Sequence, residues 1–282
     1  MRLFSALRAK AQTSPLMIAL IIQLLVISLF VMSLVSSGTV DVTTASGQPD
    51  ISFVLRGLTA EAILAVILLI IVSVLGWNKA CYLTTSFDTL GLRWAIPILA
   101  VIFTLASLVI GLVKFEGTHA DQSKIIFQLV LFCLAVGVFE EVLYRGTLFH
   151  GLSRHLSPFW AMMISSLIFG LFHMQNIVVG QAVGATAFQS LNAAALGVVF
   201  CAIMLQTNSI WTAIILHAGW NLVLFVSAYV AQTQPELMEL SPEDIANQST
   251  DITASAFLMP AFLLALGLLI YARWAKRMAN AT

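Results

Sequence analysis

The chain has 282 residues, of which 60% are hydrophobic and 9% are charged, and its formal net charge is zero. A soluble globular domain carries about 25% charged residues, so this composition excludes that class and indicates a polytopic integral membrane protein. The zero net charge provides no basic surface field, and we therefore expect no nucleic-acid partner.

Eight apolar runs follow one another along the chain, most of them near the roughly 20 residues that cross a bilayer as a helix. They cover residues 16–36, 57–76, 94–113, 124–150, 158–178, 186–205, 210–231 and 255–272. The first run resembles a signal peptide, but it exceeds the roughly 7–15 apolar residues of a cleaved signal, so we interpret it as a retained span. The sequence therefore predicts an all-α membrane protein with eight transmembrane helices.

Lysines and arginines predict the orientation of these helices. If both termini are cytoplasmic, ten of the 13 basic residues fall on cytoplasmic segments, as the positive-inside rule requires. The acidic loop 235–251 then lies outside, and the reverse orientation inverts the ratio. We therefore expect N- and C-termini in the cytoplasm and a location in the cell (inner) membrane.

Polar residues are concentrated in the middle of the chain. The first three spans hold one acidic residue, Glu61, which is close to Arg56 in the sequence. This distribution predicts a three-helix scaffold over 1–123, a catalytic core over 124–231, and an outer loop with a closing helix over 232–282.

The fourth run ends with "VFEEVLYRG", which places charged residues where hydrocarbon is expected. A charged side chain at mid-bilayer costs about 2.5–3.5 kcal/mol, so these residues need a partner, a wet cavity or a function. Glu141 and Arg145 are spaced to form an i,i+4 ion pair, which can be purely structural. Glu140 points about 100° away from Glu141 and cannot share that helix face.

Two later runs carry histidines at a similar depth. The fifth contains "FGLFH", ending at His173, and the seventh contains "HAGWN", in which His217 and Asn221 share one face. At 1.5 Å per residue, Glu140, His173, His217 and Asn221 fall within one or two helical turns of the same depth. Each histidine alone could be an ordinary packing residue, but together these groups predict a single polar site.

An acid, two imidazoles and an amide in a low-dielectric cavity suit amide hydrolysis. The carboxylate can accept a proton from water, one histidine can orient that water, and the other can stabilise the oxyanion. Zinc is the alternative, because Glu140, His173 and His217 would also make a three-ligand set with one open position. The H-E-x-x-H motif is absent, however, and Cys81, Cys133 and Cys201 are unclustered.

Three motifs in order, E-E-x-x-x-R in "EEVLYR", F-x-x-x-H in "FGLFH" and H-x-x-x-N in "HAGWN", resemble those of the CPBP family. This group comprises CAAX-processing and bacteriocin-processing proteins, including type II CAAX prenyl endopeptidases and lysostaphin-resistance-like proteins. The resemblance covers residues from about 125 to 225. It implies an eight-helix intramembrane protease whose cavity opens toward the cytoplasm and whose substrate is a membrane protein or lipidated peptide.

The same resemblance assigns roles to individual residues. Glu140 and His173 match the pair that activates water, and His217 and Asn221 match the pair that holds the oxyanion. Glu141 and Arg145 match supporting positions of the first motif. The family carries a metalloprotease label, yet a metal-free glutamate mechanism is also available to it, and we expect no obligate metal, with zinc as the alternative.

Two other classes of function remain open from the sequence. One is a non-proteolytic immunity or partner protein with the same fold, and the other is a proton-coupled transporter that uses the buried acid and histidines as a relay. Inverted repeats typical of transporters are not visible in the sequence. Gln189 and Asn192 in the sixth run could line a substrate path or form hydrogen bonds between helices.

Overall fold

The computed structural model describes residues 2–37, 51–85, 88–89, 91–112, 120–178, 181–233 and 257–281. All regular structure in these ranges is helical, which confirms the predicted all-α class. The helices are α1 (Arg2–Thr13), α2 (Pro15–Ser37), α3 (Ile51–Leu75), α4 (Ile96–Leu112), α5 (Ala120–Glu141), α6 (Phe149–Ser153), α7 (Pro158–Phe172), α8 (Val183–Thr207), α9 (Ile210–Thr233) and α10 (Leu258–Ala279). Short 3₁₀ turns cover Gly91–Trp94 and His173–Ile177, and a π-helical segment covers Val142–Leu148.

Each predicted apolar run overlaps one of these helices. Fewer than eight of the described helices, however, are long and apolar enough to count as a membrane span. Among the described residues, five helical segments are long and apolar enough to cross a bilayer, or six if the bent pair α1–α2 counts as one span. The α4 helix has 17 residues and α7 has 15. The α7 helix is shorter than the predicted run because its backbone tightens into a 3₁₀ turn at His173. The eight-span count thus stays a prediction.

The N-terminal helix α1 is separate from the first predicted span. A bend of 106° divides Ser5–Thr13 from Pro15–Leu29. Proline at the first position of α2 suits this geometry, because its fixed φ is compatible with a helix start and its missing N–H needs no partner there. The Arg8 side chain donates hydrogen bonds to the carbonyls of Val74 (2.8 Å) and Ser73 (3.3 Å) at the end of α3. The α1 helix therefore caps α3.

Several connections meet at the same end of the helix bundle as α1. The Asp88 amide donates to the Thr207 carbonyl at 2.8 Å, and the Asp88 carboxylate pairs with Arg277 near the end of α10 at 2.6 Å. The Trp211 indole donates to the Leu83 carbonyl at 3.0 Å. Both described ends of the chain therefore lie at one end of the bundle. Which side of the membrane this end faces stays a prediction, and the loop 235–251 is outside the described residues.

The most buried helix is α8, which packs against α7, α9 and α10. The α5 helix packs against α3 and α9, so α5, α7, α8 and α9 surround one central region. The π-helical segment continues α5 into this region. Its Leu143 carbonyl accepts hydrogen bonds from the buried side chains of Gln23 (2.9 Å) and Thr147 (2.6 Å). These donors supply the hydrogen bonds that a widened helix needs in an apolar setting.

Candidate active site

The imidazole of His217 lies between two carboxylates from another helix. Its Nδ1 atom is 2.8 Å from Glu141 Oε1, and its Nε2 atom is 3.4 Å from Glu140 Oε2. The acids are the last two residues of α5, and the histidine is in α9. Because the two ring nitrogens face in different directions, adjacent acids on different faces of α5 can contact one imidazole. The structure thus brings together two of the predicted catalytic residues and one supporting residue.

Arg145 completes the buried charged cluster. Its Nη1 atom is 3.2 Å from Glu141 Oε1, and both side chains have no solvent exposure, which confirms the predicted ion pair. The guanidinium carbon lies 4.2 Å from the centroid of the Phe169 ring and 5.9 Å from that of Phe200. Cation–π contacts of this kind are strongest where the cation is desolvated. Arg145 is therefore fixed by one acid and two aromatic rings.

Two phenylalanines connect this charged cluster to the histidines. The Phe200 ring from α8 stacks on His217, with centroids 5.1 Å apart and an interplanar angle of 23°. The Phe169 ring from α7 makes edge contacts with His217 at 5.8 Å and with His173 at 5.0 Å. The rings therefore fix the plane of His217 and separate it from His173.

His173 lies at the end of α7, one helical turn after Phe169. Its Nδ1 atom is 3.0 Å from the Phe169 carbonyl oxygen. A carbonyl only accepts hydrogen bonds, so Nδ1 carries the proton and Nε2 of the neutral ring has a free lone pair. Within the described residues, no hydrogen bond or ion pair joins His173 to Glu140. The predicted pairing of these two residues therefore requires a water molecule or substrate atom between them.

Asn221 follows His217 by one turn of α9. Its side chain is partly exposed, and it makes no hydrogen bond to the part of the chain that the structure describes. His173 is also partly exposed, whereas His217 is buried. The more accessible amide and imidazole could thus receive a polar ligand beside the buried acid–imidazole pair.

Some polar residues in this region have unused hydrogen-bonding capacity. Glu141 Oε2, the Tyr144 hydroxyl, the Arg145 guanidinium nitrogens and Ser166 Oγ are buried without an aligned hydrogen-bond partner. The 3.2 Å contact of Arg145 with Glu141 is thus an ion pair without hydrogen-bond alignment. Buried polar groups are usually satisfied by protein or by water, so these atoms have the capacity to bind water or a polar ligand.

The residues of the zinc alternative do not fit a metal ion as the structure places them. The Nε2 atom of His217 faces Glu140, and its Nδ1 atom is in hydrogen-bond contact with Glu141. Among the described ranges, no group of three or more His, Cys, Asp or Glu side chains is arranged to hold a metal. The geometry therefore gives no support to the metalloprotease label, and no step of the chemistry is assigned to zinc.

The two polar residues of the sixth predicted run have separate roles. Gln189 Oε1 accepts a hydrogen bond from Asn176 at 3.0 Å, which confirms the interpretation of a contact between segments. Asn192 instead donates to the Phe188 carbonyl of its own helix at 2.9 Å.

Sequence reasoning missed one residue that contributes to this region. Phe200 in α8 could not be identified from the sequence, because an aromatic residue in an apolar run is ordinary, and only the packing of α8 against α9 brings its ring onto His217.

Comparison with known proteins finds that part of the chain is similar to one protein family. Residues 122–223 match the family model described as Rce1-like, type II CAAX prenyl endopeptidase. No curated protein and no solved structure matches the chain. The matched range contains all three motifs, and with them Glu140, His173, His217 and Asn221.

Proposed function

We propose that this multi-pass integral membrane protein hydrolyses a peptide bond near the cytoplasmic side of the bilayer, because residues 122–223 match the family model of a type II CAAX prenyl endopeptidase, as expected for an intramembrane protease of the CPBP family. The substrate is a lipidated peptide or membrane protein processed in the CAAX manner. The observation that carries the proposal is the position of His217 between Glu140 and Glu141. It joins an acid and an imidazole from separate helices in a region without bulk solvent.

Hydrogen bonding determines where the protons of this pair lie. Glu141 is ionised by its pairing with Arg145, so the Nδ1–H of His217 donates to Glu141. The remaining Nε2 atom faces Glu140, and two acceptors cannot face one another without a proton between them. One proton is therefore shared by Glu140 and His217. With that proton, the net charge of the cluster formed by Glu140, Glu141, Arg145 and His217 is zero, which is the charge that burial favours.

Glu140 in its ionised form acts as the general base. The water oxygen attacks the scissile carbonyl carbon while Glu140 takes one water proton, and the lone pair of His173 Nε2 orients the same water. The carbonyl oxygen becomes an oxyanion that accepts hydrogen bonds from His217 Nε2–H and the Asn221 amide. When the C–N bond breaks, the leaving nitrogen receives the proton held by Glu140.

The depth of the site supports cleavage near one membrane surface. His217 is seven residues after the start of α9, which corresponds to about 10 Å from that end of the helix. This is the end at which the connections near Arg8, Asp88 and Arg277 meet. The basic residues there favour the cytoplasmic side of the cell membrane.

The proposal is tested with purified protein reconstituted in liposomes and a peptide ending in a farnesylated CAAX sequence. Mass spectrometry should identify one cleaved peptide bond with wild type, and Glu140→Gln should slow cleavage by at least about 100-fold, because a general base contributes 10²–10⁴-fold. The near-isosteric change should preserve expression and thermal stability. Equal cleavage by wild type and Glu140→Gln would exclude Glu140 as the base. If the wild type does not cleave the peptide, pH-driven uptake into the liposomes would favour the transporter. The absence of both activities would favour the non-proteolytic partner protein.

A further inference from the structure

A groove of about 450 Å³ lies on the outer surface of α3 and is bounded at one end by Arg8 of α1. The residues that α3 contributes to the groove are one stripe of its surface, namely Val66, Leu69, Ile70, Ser73 and Val74. Val66 and Ile70 are 54% and 57% exposed, so the described helices leave this stripe open to the surroundings. The groove shares no residue with the candidate active site.

The groove occupies one half of a membrane-spanning helix. Leu58–Leu75 is a candidate span, and the groove residues of α3 all lie in its second half. The stretch from 66 to 74 extends for about 12 Å, which is close to the roughly 15 Å of hydrocarbon in one leaflet of a bilayer. Arg8 contacts α3 where that helix ends. The groove therefore changes from apolar to cationic in the direction of the membrane surface.

The Arg8 guanidinium is held in place without being neutralised. Its Nε and Nη2 atoms donate to the carbonyls of Val74 (2.8 Å) and Ser73 (3.3 Å), which are uncharged acceptors. A guanidinium has five N–H groups, so these two bonds leave three for an acceptor other than the described residues. The Arg8 side chain is exposed, and none of the ion pairs among the described residues includes it. Arg8 thus presents a fixed positive charge at the end of the groove.

The orientation of α1 places this charge at the membrane surface. The bend of 106° between Ser5–Thr13 and Pro15–Leu29 makes α1 roughly perpendicular to α2, which belongs to a candidate span. Residues 5–10 of α1 are exposed, and Lys10 adds a second positive charge in its last turn. A basic helix that lies in the plane of the membrane surface is attracted to anionic lipid headgroups.

We propose that the groove binds an anionic phospholipid, with the phosphate on the Arg8 guanidinium and one acyl chain along the apolar stripe that includes Val66 and Ile70. Guanidinium groups bind phosphate through charge-assisted hydrogen bonds, and the order of polarity along the groove matches that of a phospholipid in one leaflet. A free phosphate ion would contact Arg8 and leave the stripe unused. The bound lipid would join α1 to α3. This site goes beyond the proposed hydrolytic function and does not depend on it.

The test of the headgroup contact measures lipid binding to the purified full-length protein by native mass spectrometry in detergent. Phosphatidylglycerol should bind at least five-fold more tightly than phosphatidylcholine with the same acyl chains. Arg8→Gln should lower the affinity for phosphatidylglycerol by about five-fold, which is the contribution of one basic residue near a membrane surface. Arg93→Gln is the matched control, because it removes an exposed arginine that lies over the Trp94 ring outside the groove. It should change the affinity by less than two-fold.

A second pair of variants tests the position of the acyl chain. Ile70→Trp should fill the groove with a larger side chain and lower the affinity for phosphatidylglycerol by at least five-fold while Arg8 is intact. Ile67→Trp is the matched control, because Ile67 is an exposed residue of the same helix outside the groove. It should bind the lipid as the wild type does. Thermal unfolding in detergent checks that each variant is folded, and phosphatidylglycerol should raise the midpoint of the wild type more than that of Arg8→Gln.

Three results would overturn the proposal. One is equal affinity of the wild type for phosphatidylglycerol and phosphatidylcholine, and another is equal affinity of the wild type and Arg8→Gln for phosphatidylglycerol. The third is displacement of the lipid by an equal concentration of sn-glycerol 3-phosphate, which would show an anion site without a role for the acyl chain. If Arg8→Gln does not fold, Ile70→Trp decides, and wild-type binding by that variant contradicts the proposal. Because none of these measurements involves cleavage, failure here leaves the result for Glu140→Gln unaffected.

Discussion

The α8 and α3 helices differ sharply in their surroundings, although both are long, apolar and outside the three motifs. Of the 25 residues in Val183–Thr207, 16 are buried, whereas 4 of the 18 residues in Leu58–Leu75 are buried. The α8 helix supplies no carboxylate or imidazole to the site, yet it approaches Arg145 at Gly197 and stacks Phe200 on His217. The α3 helix exposes Ile63 and Ile67 on one side and packs against α5 on the other. The comparison indicates that the site depends more on the shape of α8 than on α3.

Gly197→Ala should have the largest effect on cleavage among substitutions outside the charged cluster. A Cβ atom at this position would lie 2.8 Å from Ser166 Cβ and 2.9 Å from Arg145 Nη2. We expect a loss of about 1–3 kcal/mol in stability from overpacking, and at least a ten-fold loss of cleavage because Arg145 must move. Thermal unfolding in detergent and the liposome cleavage assay measure the two effects.

Gly219→Ala is the matched control for this substitution. Among the described residues its Cβ would meet the Ile102 side chain, at 3.6 Å, and alanine is about 1 kcal/mol more favourable than glycine within a helix. It should therefore be neutral or slightly stabilising. If both glycine variants behaved alike, the close contact at Gly197 would not control the site.

Phe200→Leu should have a smaller effect, confined mainly to the chemical step. The substitution keeps an apolar side chain in α8 but removes the stack on His217, and we expect kcat to fall by about ten-fold with KM little changed. Steady-state cleavage kinetics measure both parameters. The control is Phe132→Leu, which removes a contact between the Phe132 and Phe225 rings, whose centroids are 5.2 Å apart. In this variant kcat should stay within two-fold of wild type. A rise in KM alone would contradict the role of Phe200 in orienting His217.

Ile67→Ala in α3 should have the smallest effect. Ile67 is 48% exposed on the outer face of the bundle, where lipid tails can replace the lost side-chain contacts. We expect stability to change by no more than about 0.5 kcal/mol and cleavage to stay at the wild-type rate. The adjacent, buried Leu68 provides the contrast, since Leu68→Ala should lose about 2–5 kcal/mol. Similar losses for the two variants would show that the outer face of α3 is covered by protein rather than lipid.

Apolar run length made most of the helical architecture predictable. The seventh run, predicted over 210–231, corresponds to Ile210–Thr233, and the start of α7 at Pro158 follows from the proline after Ser157. The α1 helix was not predicted, because it is basic and polar rather than apolar. The π-helical segment was also unpredictable, because its stability depends on Gln23, which is 120 positions from Leu143 in the chain.

Residue chemistry made part of the site predictable as well. Isolated charges in an apolar chain identified Glu140, Glu141 and Arg145, and the shared depth identified His217. The bridging contact of His217 with both acids could not be predicted, because it depends on the rotation of α9 relative to α5. The contribution of Phe200 likewise requires knowledge of which helix faces meet.

The central claim is that Glu140 and His217, from separate helices, act as one acid–base pair. A double-mutant cycle with Glu140→Gln, His217→Gln and the combined variant tests it most directly, using single-turnover cleavage of the farnesylated CAAX peptide. Residues that act as a unit are strongly non-additive. The account therefore predicts that the double variant is no more than a few-fold slower than the slower single variant. If the fold-losses in cleavage rate of the two single variants multiply in the double variant, Glu140 and His217 act independently and the central claim is contradicted.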